Sequence, residues 1–243
     1  MALLGNEYLI VNGIILLAAL TQSITGFGYS IVAMSFLPGI IALQTAVPLV
    51  TITAIIGNII IWYDYRRSFS FKEVGALTIA SLVATPFGAV LLTRIPEAIA
   101  LRGLGVLIIS YVLYDWFNFT LPSFRSSIWA YLLGGVSGIL NGAYTVNGPP
   151  LIVYGNCRRW TPQEFKGNLS ALFLPSSLLA AIAHGSQGNL TIAVWRFAVY
   201  SLPLYGLGIW LGIILSRRID PVLFRQITLG LLFLAGLKLL LIL

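Results

Sequence analysis

Residues 23–30 read SITGFGYS and residues 141–150 read NGAYTVNGPP, two small, polar, glycine-bearing stretches set in strongly apolar surroundings. Of the 243 residues 58% are hydrophobic and only 9% are charged, and the mean hydropathy is +0.95. Runs such as 98–114, 192–215 and 222–243 have about the length a helix needs to cross a hydrocarbon core of roughly 30 Å. The composition therefore specifies an all-α polytopic membrane protein. The first quoted stretch lies inside an apolar run from Tyr8 to Ala42, which as one straight helix would reach about 52 Å at 1.5 Å per residue. A membrane does not need that length, so the chain must fold back where the glycines fall.

The chain is written twice. FKEVGALTIASLVATPFGAVLLTRIPEAIALRGLG (Phe71–Gly105) aligns with WRFAVYSLPLYGLGIWLGIILSRRIDPVLFRQITLG (Trp195–Gly230) at a shift of about 124, which pairs Lys72 with Arg196 and Gly88 with Gly212. Upstream, SITGFGYS falls over ILNGAYTV, with Gly26 opposite Gly142. Residues 1–119 and 120–243 are thus read as two repeats of one transport domain, joined through the aromatic, Ser- and Pro-bearing linker WFNFTLPSFRSS. Each repeat holds a broken segment and then three long helices, expected near 43–63, 74–92 and 98–117, and near 165–183, 192–215 and 222–243.

Lys and Arg distribution arbitrates the topology. If both broken segments span, the basic residues divide almost evenly between the two sides. If each is a V-shaped re-entrant hairpin, the repeats are inverted. Arg66, Arg67, Lys72, Arg125, Arg158, Arg159, Lys166, Arg217, Arg218 and Arg225 then share one side, against Arg94, Arg102, Arg196 and Lys238. The second division has the asymmetry of a cytoplasmic face, and it puts both termini outside an inner membrane. Arg94, Arg102, Arg217, Arg218 and Arg225 read as interface anchors.

Irregular backbone at membrane depth is tolerated only where protein or a wet cavity satisfies it. Glycine permits the turn, and Pro149 suits the first turn of an outgoing helix, as Tyr29 does by position. Helix starts offer free N–H groups and partial positive charge, so breaks facing each other at the midplane would make an anion site without a fixed charge. Gln22, Thr25, Gly26, Gly28, Tyr29 and Ser30 in the first break, and Asn141, Gly142, Tyr144, Thr145, Asn147, Gly148 and Pro149 in the second, are the candidate substrate residues. Thr51, Asn58 and Asn168 could line the cavity or hydrogen-bond between helices, and Lys72 and Arg196 could attract anions into vestibules or anchor the chain. The acids Glu7, Asp64, Glu73, Glu97, Asp115, Glu164 and Asp220 fall at helix ends or in loops, which speaks against a cation site. Gly134, Gly138 and Gly142, like Gly208 and Gly212, have the four-residue spacing of close helix packing.

The paired GxG-type breaks, the Pro-containing second copy and the basic, Pro-bearing turns LLTRIPEAIALR and IILSRRIDPVLFR resemble the TauE/SafE family of sulfite and organosulfonate exporters over nearly the whole chain. The resemblance implies a secondary carrier for small sulfur-containing anions such as sulfite, thiosulfate or organosulfonates. It marks Gly26, Gly28, Gly142, Gly148 and Pro149 as matching positions, while Ala143 and Tyr144 depart from the glycine-dense first copy. An anion channel, or a carrier for another small anion such as carboxylate or sulfate, stays open.

Other classes fit poorly. The single cysteine, Cys157, excludes an intrachain disulfide and a Cys metal cluster. The net charge of +7 is carried by short basic groups between apolar spans, which topology explains better than nucleic acid does. His184 reads as a satisfied helix-end histidine. No nucleophile–base pair or carboxylate pair supports an enzyme, and no cofactor is expected. The expected partners are the anion, membrane lipid and a coupling proton or other ion. The first residues carry Glu7 without Lys or Arg, unlike a cleavable leader.

Overall fold

A computed structural model describes residues 2–25, 27–117, 126–215 and 221–241. They form α1 (Ala2–Thr25), α2 (Tyr29–Phe36), α3 (Leu43–Tyr65), α4 (Phe71–Arg94), α5 (Glu97–Trp116), α6 (Ile128–Tyr144), α7 (Gly148–Cys157), α8 (Pro162–Ser186), α9 (Ile192–Leu215) and α10 (Pro221–Leu241), with 3₁₀ turns at Leu37–Gly39 and Arg66–Ser68. Seven stretches among the described residues are long and apolar enough to cross a membrane, one each in α1, α4, α5, α8, α9 and α10 and one running from α3 through its 3₁₀ turn. The first of these, Glu7–Thr25, was expected only as one limb of a hairpin. Because α1 begins at Ala2 rather than Tyr8, it runs for 24 residues, about 36 Å at helical rise, whereas α2 has only 8.

The chain divides into two compact units that are not its two halves. One holds α1, α2, α3 as far as Thr53, α5, α9 and α10; the other holds the rest of α3 with α4, α6, α7 and α8. In the first unit α1 packs on α9 and α5 on α10; in the second α6 packs on α4. Each leading helix of a broken segment therefore lies against a long helix from the other half of the sequence.

Small residues make these contacts close, as their spacing predicts. A Cβ built on Gly134 would meet the Leu77 carbonyl oxygen at 2.6 Å, and Cβ atoms on Gly138 and Gly142 would land on the carbonyl oxygens of Ser81 and Thr85. In the first unit a Cβ built on Gly208 would meet the Leu16 carbonyl oxygen at 2.6 Å, and one built on Gly212 would meet the Ser23 Cβ at 2.5 Å. Apolar side chains such as Leu9, Phe71, Phe87, Ile182, Ile192 and Leu234 point outward, while Thr21, Thr51, Thr53, Ser81, Thr85, Ser137, Asn141 and Ser176 are buried. Polar inside and apolar outside is the distribution a hydrocarbon solvent imposes.

Most described acids serve helix starts or pair with cations, consistent with helix-dipole preferences. Glu97 accepts from the Leu43 N–H at 2.7 Å, and Glu164 completes a capping box with Thr161 at the start of α8. Glu73, in the first turn of α4, takes the Arg158 Nε–H at 2.9 Å and the Trp160 Nε1–H at 3.3 Å.

Gly138→Val should lower the melting temperature of the purified protein, since overpacking against α4 backbone costs about 1–3 kcal/mol. Gly135→Val, at a neighbour whose Cβ would meet nothing within 4 Å, should leave melting within a degree or two of wild type. Equal melting of the two variants in a detergent thermal-shift assay would contradict the α4–α6 packing.

Candidate functional site

Both breaks fall where the sequence places them. In the first unit α1 ends at Thr25 and α2 begins at Tyr29; Gly26 lies outside the described residues. The Thr25 hydroxyl hydrogen-bonds back to the Thr21 carbonyl at 2.8 Å and lies 2.5 Å from the Phe27 carbonyl oxygen, while the Phe27 N–H donates to Thr25 Oγ1 at 3.4 Å. Gly28 sits at φ 99, the left-handed region, and precedes α2 without any side-chain cap. Its carbonyl accepts the Val32 N–H at 2.9 Å, which starts the helix and leaves the N–H groups of the first turn outside the helical ladder.

The second break answers the same need differently. α6 closes on Thr145 at φ 57, with the Thr145 N–H donating to the Asn141 carbonyl at 2.8 Å and the Val146 N–H to the Leu140 carbonyl at 3.4 Å. The first of these is the 5→1 bond of an αL closure, with a β-branched residue where glycine is usual. The chain then doubles back, so that the Ser137 hydroxyl donates to the Asn147 carbonyl at 3.0 Å. α7 starts at Gly148 with Pro149 in its first turn and, like α2, has no side-chain cap.

A small cavity of about 30 Å³ opens against the first break. Thr21 and Thr25 of α1, Phe27 and Gly28 of the break, Tyr111 of α5, and Arg225 and Thr228 of α10 contribute its polar and backbone lining. Arg225 is held by Asp115 of α5: its Nε–H donates to Oδ2 at 2.8 Å and its Nη2 pairs with Oδ1. The Asp115 side chain is only 2% exposed and that of Arg225 is 49% exposed, so the carboxylate is sealed and part of the guanidinium faces open space. The sequence reading of Arg225 as an interface anchor misses this pairing across 110 positions.

The other candidates distribute as follows. In the first unit Gln22 accepts from the Tyr205 hydroxyl at 3.3 Å, Tyr205 stacks edge-on against Tyr29 with centroids 5.1 Å apart, and the Tyr29 hydroxyl pairs with Thr53 at 2.5 Å. Tyr205 was not anticipated, because nothing in the apolar run 192–215 singles it out. Thr51 bonds the Val47 carbonyl of its own helix at 2.8 Å. In the second unit Asn141 donates to the Ser176 carbonyl at 2.9 Å, and its buried Oδ1 has no partner among the described residues. Gly142 presses on α4, and Tyr144 is buried at the end of α6. Asn58 donates to Ser177 at 3.2 Å, and Asn168 accepts the Ser70 N–H at 2.9 Å. Lys72, in the first turn of α4, and Arg196, five residues into α9, are exposed. His184 is buried, with Nδ1 3.3 Å from the Asn189 amide nitrogen and Nε2 without a partner among the described residues.

Seven apolar stretches long enough to cross a bilayer define a multi-pass membrane protein. A family model described as sulfite exporter TauE/SafE matches residues 11–239, and the chain belongs to that family, whose members are transporters rather than enzymes. The chain is also similar to the probable sulfite/organosulfonate exporter TauE of Cupriavidus necator, with 24% identity over 227 residues that cover 90% of this chain and 88% of that protein. No solved structure matches with significance.

Gly28→Ala should destabilise the protein by about 1–2 kcal/mol through backbone strain alone, because the nearest atom to an added Cβ is 3.6 Å away. Gly28→Asn, which tolerates the left-handed region, should recover much of the loss in a urea or thermal titration. Equal losses for the two variants would point to crowding instead.

Proposed function

We propose that the protein is an inner-membrane secondary carrier that moves sulfite, thiosulfate or organosulfonate anions, engaging them through its glycine-rich helix breaks. The observation that carries this reading is the cavity at Gly28, where an uncapped helix start and a guanidinium edge converge. An oxyanion satisfies such donors, and a cation would not. Family membership and the printed name of the Cupriavidus relative supply the sulfur chemistry.

The carrier is read as two inverted repeats, 1–119 and 120–243, each opening with a hairpin. Internal contacts support the duplication: Gly88 meets Ile139, and its counterpart Gly212 meets Ser23, the residue aligned with Ile139. Support for the first hairpin comes from α2 returning alongside α1, since Leu17 and Thr21 share a small cavity with Val32 and Phe36. The charge division places both termini outside, and access alternates between the two sides as in other repeat-built carriers.

Purified protein in liposomes should show saturable sulfite flux that accelerates when unlabelled sulfite is present on the opposite side. Sulfate and simple carboxylates should compete weakly. Flux that rises linearly with concentration, together with single-channel currents, would contradict the carrier.

A further inference from the structure

The chain has one histidine, and it is buried in the last turn of α8. An ionisable group within an apolar span is costly and calls for a task. His184 Nδ1 lies 3.3 Å from the Asn189 amide nitrogen, a group that can only donate. Nδ1 is therefore the acceptor, and the neutral ring carries its proton on Nε2. The imidazole also faces the Gly142 backbone carbonyl in the last turn of α6, without Nε2 closing a well-formed hydrogen bond among the described residues. Asn141, one residue before Gly142, has a buried Oδ1 that is likewise unpartnered. Two buried polar atoms without partners thus belong to residues that meet at the second break, and such atoms call for an explanation.

The charged surroundings of His184 are sparse. α4 and α8 run side by side in one direction, since the Ser70 N–H bonds Asn168 at one end and Thr93 bonds Gln187 at the other. At the His184 end α4 brings the exposed Arg94 and α6 brings Tyr144. The other ionisable side chains on the elements packed against α8 lie toward the opposite end, where Lys166 meets Tyr65 and Arg158 meets Glu73. They are Lys72 and Glu73 of α4, Tyr131 of α6, Tyr154 and Cys157 of α7, Tyr63, Asp64 and Tyr65 of α3, and Arg66 and Arg67 of the 3₁₀ turn. No described carboxylate of the second unit shares the end that holds His184, so a charge on the ring would rest on the Gly142 carbonyl and on Asn189.

Protonation changes both contacts. Nδ1 takes a proton from water at the turn between α8 and α9, where Asn189 is half-buried, and returns it the same way. Once Nδ1–H has formed, the Asn189 amide must turn over to present its oxygen. On the other side of the ring, Nε2–H becomes a charged donor and draws the Gly142 carbonyl more strongly, at the negative end of the α6 dipole. One contact reaches the second break. The other reaches the residue after which the chain leaves the second compact unit for the first.

We infer that His184 is the proton-binding site of the carrier, loaded through Asn189 and sensed by the end of α6 at Gly142. The inference rests on the carrier reading and adds a coupling ion to it.

The test uses the full-length protein without a histidine tag, in nanodiscs for spectroscopy and in liposomes for flux. With ring-¹⁵N histidine the nitrogen signals report His184 alone, because the chain holds a single imidazole. Nδ1 should be the unprotonated nitrogen at high pH, and acidification within the range where the protein transports should convert the ring to imidazolium. Thiosulfate, which stays fully ionised over that range, is the transported probe. Its flux should rise under a proton gradient of one direction and fall when the gradient is reversed. His184→Gln should lose this response. Asn189→Asp places a carboxylate beside Nδ1 and favours the charged ring, so it should move the midpoints of the imidazole titration and of the pH–flux profile upward together, by about one pH unit or more. Because Asn189 sits in a half-buried turn, N189D decides the matter if H184Q fails to fold. An imidazole that stays neutral wherever the protein transports, midpoints that separate in N189D, or thiosulfate flux indifferent to the gradient would overturn the proton site and leave the anion carrier standing. Absence of flux for thiosulfate and sulfite alike would overturn the carrier reading and the coupling with it.

Discussion

A helix that breaks inside a hydrocarbon slab exposes N–H groups that the surrounding lipid cannot satisfy. Both broken segments of this chain handle their freed backbone groups locally. In the first, Gly28 takes the left-handed conformation that lets α2 start against the end of α1, and Thr25 ties up the loose end of α1 with its own hydroxyl. In the second, Thr145 closes α6 and Pro149 opens α7, where its missing N–H is no loss. Neither α2 nor α7 has a side-chain cap. The first-turn N–H groups of both helices are therefore without a side-chain acceptor from the N-cap.

The frame around the breaks follows from the same solvent. Without a hydrophobic drive between helices, close approach and interhelical hydrogen bonds must provide the cohesion. The glycine rows of α6 and α9 let backbones touch, while Asn58, Ser81, Asn141, Ser176 and Ser177 stitch the interior of the second unit. Arg225 and Asp115 are a different kind of element. A buried carboxylate is tolerable because a two-point ion pair neutralises it, and breaking such a pair by removing one partner is expensive. Its position beside the first break turns an energetic liability into a fixed, oriented positive edge.

Much of this was legible in the sequence. The run 192–215 became α9 with those limits, and the outgoing helices start at Tyr29 and at Gly148, one residue from the proline that marks the site. Composition and punctuation are local, so a linear reading captures them. Three features were not legible. The α1 helix reaches back to Ala2 because weakly patterned residues continue a helix as easily as they end one. The pairings of Arg225 with Asp115 and of Tyr205 with Gln22 span 110 and 183 positions, and only the packing of α5 on α10 and of α1 on α9 brings them together. Gly142 stood in both the packing row and the break. The close approach to Thr85 and Ala89 gives it a packing task.

Amide hydrogen exchange over residues 27–32 tests the central claim most directly. If the uncapped start of α2 holds an oxyanion, the amides of Tyr29, Ser30 and Ile31 should exchange measurably more slowly when a sulfur oxyanion is added, with peptides from the outer face of α9 unchanged. Identical exchange with and without the anion, at concentrations that saturate transport, would contradict the account.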